Sequence, residues 1–307
     1  MICESYRRTA QEQWHTDKTN HGAALAEMPE PASKGHDMPH TRMNFDPAHV
    51  EVATGDGSSL TRDKAVCLAK ALGLPFHDAT DNFSADAKLL LLVTGARLEL
   101  REPGRRIGGP VYVDFVGGAT GYRRRSGRSR DQAIGRAIGL RSGAGTVIDA
   151  TAGLCRDAFL LACLGCRVTA IERSTVVAAL VRDGLARARA ESKTDLNDVL
   201  DRITLVVGDA REALAGMTGP AAPDVVYLDP MYSQAGRSAL AKKEMRILRR
   251  LVGDDSDAPR LLEAARNVAR RRVVVKRHRH APPLAETPAL KFLGRSVRYD
   301  VYLPVVR

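Results

Sequence analysis

The chain has 307 residues, is 44% hydrophobic and carries a formal net charge of +11 with a pI near 9.7. No apolar run is long enough to span a bilayer. The opening residues Met1-Ile2-Cys3-Glu4-Ser5-Tyr6 lack the apolar segment of a secretory signal, so neither a membrane protein nor an exported one is expected. The positive charge points to a polyanionic partner, with nucleic acid first among the candidates.

Residues 1–44 are polar and show no apolar periodicity, which reads as a disordered extension or an over-called start site. The four histidines there (His15, His21, His36 and His40) lack ligand spacing. Residues 45–140 read as a small α/β subdomain. It has a strand at Val50–Ala53, a helix over Thr61–Leu72, and strands at Leu89–Val93, Arg97–Leu100 and Val111–Phe115. Gly117 to Gly121 interrupts the pattern. The basic run Tyr122–Arg130 follows, then a short helix ending near Ile138.

Residues 141–307 alternate strand and helix. Strands are predicted at Val147-Ile148, Val168–Ile171, Ile203–Val207, Val225–Leu228 and Val273–Val275. Helices are predicted over Arg156–Leu164, Thr175–Ala190, Lys242–Leu251 and Leu261–Arg271, with a short one after Val207 and a closing hairpin in Leu290–Leu303. Such alternation predicts a doubly wound parallel sheet of Rossmann-like form. Five cysteines, at positions 3, 67, 155, 163 and 166, give a single CxxC with no second pair. That suits small buried residues in a reducing cytosol better than a metal site.

In open α/β sheets ligands bind beyond the carboxyl ends of the strands, and acids stand at four of these ends. Asp149 opens the turn Asp149-Ala150-Thr151-Ala152-Gly153, in which Gly153 lets backbone approach a ligand closely. Glu172 ends the second strand, where a carboxylate can accept both hydroxyls of a ribose. Asp209 follows the third, placed to accept an adenine amino group. Asp229 follows the fourth in Tyr227-Leu228-Asp229-Pro230-Met231-Tyr232. Cys155 occupies the place of the second glycine of a dinucleotide fingerprint, so S-adenosylmethionine, which has no pyrophosphate, fits the turn better than NAD. The Asp229 carboxylate, the Pro230 carbonyl and the Tyr232 ring are the groups needed to hold an exocyclic amino group of a base and stack on it. Methylation of such a nitrogen is the chemistry they suggest.

Several motifs together resemble the RsmJ family. They are Asp149 to Phe159, Ile171-Glu172-Arg173, Val176 to Leu180, Tyr227 to Met231, Lys242 to Arg246 and Arg272 to Arg277, joined upstream by Gly55-Asp56-Gly57 and Val113 to Gly118. The match runs over roughly residues 50 to 303. The resemblance implies a class I S-adenosylmethionine-dependent methyltransferase acting on the guanine N2 of 16S ribosomal RNA in the small subunit. Its implied cofactor contacts are Arg156, Asp157, Glu172, Arg173, Asp209, Ala210 and Asp229. The chain departs from the family at Cys155, usually glycine, at Asp209-Ala210, usually a small polar pair, and at His278-Arg279-His280. Residues 1–44 have no counterpart.

Three basic clusters are expected to cradle RNA phosphates: Arg123 to Arg130, the helical set Lys242, Lys243, Arg246, Arg249 and Arg250, and Lys276 to His280. Other readings are an amino-methyltransferase on DNA or another RNA, and a non-catalytic RNA-binding protein, which only Cys155 supports. A nicotinamide oxidoreductase fits worst.

Overall fold

The computed structural model describes residues 50–55, 57–78, 89–103, 109–117, 132–143, 145–191, 194–215, 217, 219–231 and 239–305. The N-terminal extension, the Arg123 to Arg130 cluster and Tyr232 lie outside them, as do the side chains of Lys242 and Lys243.

The first sheet contains β1 (Val50–Thr54), β2 (Phe76–His77), β3 (Leu89–Val93) and β4 (Leu98–Arg101), in the order β2-β1-β3-β4. Helix α1 (Ser59–Leu72) joins β1 to β2. It begins where the Ser58 hydroxyl accepts the Thr61 N–H and ends at Gly73 in the left-handed conformation. Strands β1 and β3 are buried along their whole length. This explains the unbroken apolar sequence of β3, whereas β1 also buries Glu51 and Thr54.

After α2 (Ala133–Ile138) the second sheet begins. Its strands are β5 (Thr146–Asp149), β6 (Arg167–Glu172), β7 (Ile203–Val207), β8 (Val225–Leu228), β9 (Arg272–His278), β10 (Leu290–Leu293) and β11 (Val297–Tyr302). The order is β10-β11-β9-β8-β5-β6-β7, parallel from β9 to β7, with β11 and β10 antiparallel. The connecting helices are α3 (Arg156–Cys163), α4 (Thr175–Glu191), α5 (Thr194–Leu200), α6 (Ala210–Ala215), α7 (Ala239–Val252) and α8 (Ala258–Val268). The chain winds outward from β5 through β6 to β7, then returns to the other side of β5 with β8. Loops after β5 and β8 therefore diverge, and a crevice opens between them.

Helices cover both faces of this sheet. One core holds Phe159, Leu161, Leu180 and Tyr227 together with Leu91 and Leu100 of the first sheet. The other holds Ile148, Val226, Leu214, Leu262 and Val273. The first sheet thus shares its core with the second. A Cβ on Gly184 of α4 would lie 2.6 Å from Val113 Cγ1, so only glycine allows that approach. Glu102, buried after β4, accepts Arg246 Nη2 at 2.8 Å and Arg250 Nη1 at 2.6 Å from α7.

Most predicted elements form within a residue or two of their expected bounds. Val111–Phe115 does not form a strand. It makes one bridge to Leu100 and then lies across α4, where Arg187 donates to the Val113 carbonyl. The alternation of Val111, Val113 and Phe115 reports an extended segment with one buried face, and only a partner strand would have made it a ladder. The helix expected at Leu261–Arg271 starts three residues earlier, with Pro259 in its first turn. The two-residue β2 and helix α5 carry too little pattern to read.

Asp224 joins the starts of β5 and β8. Its Oδ2 accepts the Gly145 and Thr146 N–H groups at 2.9 and 3.0 Å, and Oδ1 accepts Arg270 Nη2 at 2.9 Å. Burial opposes its charge, but these donors prevail and hold the carboxyl at about 2, below its ordinary 3.8. A depressed acid contributes stability above its unfolded pKa, and that contribution fades as pH falls through the folded one. Asp224→Asn is therefore expected to lower stability at neutral pH by about 1–2 kcal/mol. It should also flatten the loss between about pH 4 and pH 2, as followed by chemical unfolding at a series of pH values.

Candidate active site

The crevice is a cavity of about 420 Å³ lined by the loops after β5, β6, β7 and β8, by α7 and by the turn before β11. Asp149, Glu172, Asp209 and Asp229 all line it, as do Gly153, Arg156, Asp157, Arg173, Ala210 and Pro230. The structure thus brings together every described residue expected at the site.

The turn after β5 is set by backbone geometry. Gly153 has φ +52° and its N–H donates to Glu172 Oε2 at 2.8 Å, while the Ser174 N–H donates to Oε1 at 2.7 Å. Each of those oxygens has a further lone pair. Burial raises the Glu172 carboxyl against the pull of those two donors. Cys155, the residue before α3, is buried and holds φ +56°, a conformation usual for glycine. Its thiol is pushed well up, first by burial and then by the charges of Asp149 and Glu172. Asp149 is buried and its carboxyl is also raised well above the ordinary range, by burial and by the nearby Asp157.

Asp157, in the first turn of α3, accepts the Tyr227 hydroxyl at 2.8 Å and Lys276 Nζ at 2.5 Å. The same Lys276 ammonium lies 2.8 Å from Asp229 Oδ2. Burial opposes the lysine charge, but Asp157 and Asp229 outweigh it and raise its pKa above the ordinary range. The Asp229 N–H donates to Thr151 Oγ1 at 2.6 Å. Lys276 was expected among phosphate-binding residues, and the structure corrects this: it belongs to the acid cluster. Arg277 is likewise buried and donates to the Pro282 carbonyl. Of that run, Arg279 and His280 are exposed and His278 partly so. On α7, Arg246 and Arg250 share a face as expected, and that face meets Glu102.

At the other end of the cavity Asp209 accepts the Arg211 N–H and, from the same residue, Nη2, both at 2.8 Å. Burial raises this carboxyl, but the Arg211 bonds outweigh it and hold it below its ordinary value. Arg173 pairs with Asp255 and lies 3.5 Å from Asp257. Arg156 bonds Glu244 of α7 at 2.8 Å. Thr151, Arg211 and Asp255 carry no expectation from the sequence, and Lys276 carries one only as part of a basic run. A signal existed for Lys276 alone: a charge ending the buried apolar run Val273 to Val275, as Asp229 ends the run Val225 to Leu228.

These residues suit S-adenosylmethionine. Acids end β5 and β6 and follow β7 and β8, a left-handed glycine leaves open space where a Cβ would stand, and the buried carboxyls Asp149 and Glu172 suit a cationic, hydroxyl-bearing ligand. Among the described residues no group of His, Cys, Asp and Glu suits a metal ion, and no helix is long and apolar enough to cross a membrane.

Two outcomes follow from this geometry. At neutral pH a thiol reagent is expected to label the partly exposed Cys67 and Cys163 and to spare Cys155, leaving cofactor binding unchanged. Peptide mass mapping beside a binding assay checks this, and binding lost in step with Cys155 labelling would contradict it. Lys276→Met leaves the acids facing one another without a cation and is expected to lower stability by about 3 kcal/mol, read from denaturant unfolding.

The sequence model of a family described as "Putative SAM-dependent methyltransferase" matches residues 71–304. The ribosomal RNA small subunit methyltransferase J of Thioalkalivibrio sulfidiphilus is 47% identical over 244 residues, 79% of this chain and 93% of that protein. The protein of the same name from Edwardsiella ictaluri is 49% identical over 261 residues, 84% of this chain and 99% of that one. The crystal structure of a SAM-dependent methyltransferase from Neisseria gonorrhoeae superposes with a TM-score of 0.62 at 36% identity, covering 84% of this chain and 97% of that one. With its strand order and acid-lined crevice, the chain belongs to this family of S-adenosylmethionine-dependent methyltransferases, the one that includes the ribosomal RNA small subunit methyltransferases J.

Proposed function

We propose that the chain methylates the exocyclic N2 of a guanine in 16S ribosomal RNA, on the small ribosomal subunit, in the cytosol. The observation that carries this is the Asp229-Pro230 segment held at the cavity, with the Asp229 carboxylate fixed by Lys276 at 2.8 Å and its N–H by Thr151 at 2.6 Å. The names of the relatives support ribosomal RNA as the substrate. Residues 45–140 serve as a subdomain to the methyltransferase domain at 141–307.

Within the crevice Glu172 receives the ribose hydroxyls, Asp209 the adenine amine and Asp149 the amino-acid part, with Gly153, Arg156, Asp157, Arg173 and Ala210 completing the walls. When bound, S-adenosylmethionine supplies an activated methyl group, so the protein needs no strong base. The guanine N2 lone pair is delocalised into its ring and is a poor nucleophile. Asp229 and the Pro230 carbonyl accept its two N–H groups and turn the lone pair toward the donor. Asp229 also borders the cofactor, and its charge stabilises the positive charge that develops on nitrogen. Tyr232 stacks on the base once it has left the RNA helix. The Lys276 ammonium holds Asp157 and Asp229 in one arrangement.

The test is methyl transfer from labelled S-adenosylmethionine to small subunits from cells lacking the corresponding gene. N2-methylguanosine in the RNA is expected by mass spectrometry, with the rate lowered about 10²–10³-fold in Asp229→Ala. A different methylated nucleoside, or none with cofactor bound, would overturn the proposal.

A further inference from the structure

The catalytic segment is held at a third point. The Met231 N–H donates to Asp255 Oδ2 at 2.6 Å. That N–H belongs to the same peptide unit as the Pro230 carbonyl. A trans peptide is planar, with its N–H and C=O pointing in opposite directions, and no cis peptide occurs among the described residues. Whatever fixes the Met231 N–H therefore also fixes where the Pro230 oxygen points, which is away from Asp255.

Asp255 is itself firmly placed. It lies in the loop between α7 and α8, which Gly253 opens with φ +72° and which the Ala258 N–H closes on the Asp255 carbonyl at 3.2 Å. Its other carboxylate oxygen pairs with Arg173. Arg173 lies 3.5 Å from Asp257, and Asp257 lies 3.6 Å from Arg211, the partner of Asp209. A line of alternating charges thus runs along one wall of the cavity, from the end of β7 to the segment after β8, and finishes on the Met231 amide.

We propose that Asp255 is a positioning residue that aims the Pro230 carbonyl at the amino group of the target base. An anionic acceptor on an N–H polarises that whole peptide, so Asp255 also makes the Pro230 oxygen a stronger acceptor as positive charge builds on nitrogen. The effect falls on the chemical step, since the Asp255 carboxylate acts through the peptide. The inference rests on the reading of Asp229 and Pro230 as the amine-holding pair.

The experiment measures kcat and KM for small subunits, and Kd for S-adenosylhomocysteine, in Asp255→Ala and Asp255→Asn, with Asp229→Ala alongside. Asparagine keeps a neutral acceptor for the Met231 N–H, whereas alanine keeps none. The expected result is a kcat lowered about 10- to 100-fold in the alanine variant. The asparagine variant should fall between alanine and wild type, with KM and Kd moving less than about threefold. An unchanged kcat in Asp255→Ala would overturn the proposal. So would a kcat that falls in step with cofactor affinity and melting temperature, since that marks structural support alone. If Asp229→Ala keeps full activity, the amine-holding reading itself fails, and this inference fails with it.

Discussion

A single ammonium makes the acidic crevice possible. Asp149, Asp157 and Asp229 crowd one end of the sheet, and carboxylates this close cannot all ionise without a cation among them. Lys276 supplies it, 2.5 Å from Asp157 and 2.8 Å from Asp229. Its position follows from strand order. Leu228 of β8 pairs with Val275 of β9, so the next residues along each parallel strand, Asp229 and Lys276, emerge side by side. Asp157 arrives from the helix after β5, the neighbour of β8 on its other side. Ion clusters partly withdrawn from water in this way are poor sources of stability, because desolvation offsets much of the attraction. What such a cluster supplies here is a fixed direction for the Asp229 carboxylate.

The rest of the fold serves to hold that geometry still. Three groups converge on the three consecutive residues Asp229 to Met231: Thr151 on the Asp229 amide, Lys276 on its carboxylate and Asp255 on the Met231 amide. Thr151 comes from the turn after β5, Lys276 from β9 and Asp255 from the loop between α7 and α8, so three separate parts of the fold fix the segment. The first sheet acts at a distance. It shares a core with α3 and α4, and Glu102 receives two arginines of α7, the helix whose Glu244, Met245 and Leu248 line the cavity. A shift of that sheet would therefore be felt at the site through α7.

Much of this was legible in the sequence because strands buried on both faces are continuous apolar runs, and because what ends such a run stands at the carboxyl ends of the strands, where ligands bind. Asp149, Glu172 and Asp229 could be read in this way. The resemblance to known methyltransferases added Arg156, Asp157, Arg173 and Ala210. What could not be read depends on neighbours far apart in the chain. Lys276 looks like one more cation in Lys276 to His280 until β9 lies beside β8. Asp255 looks like a solvated loop acid in Asp254-Asp255-Ser256-Asp257 until the loop folds back on Met231. Val111–Phe115 alternates like a strand, but alternation specifies a buried face and cannot specify a hydrogen-bonding partner.

The most direct test of Lys276 as the organiser of the site is a double-mutant cycle on the rate of methyl transfer, using Lys276→Met and Asp229→Asn separately and together. If Lys276 acts by holding Asp229, the two losses overlap, and the double variant is no slower than the slower single one. Losses that multiply would mean that the lysine and the aspartate work independently, and the bridge between them would then have no part in the reaction.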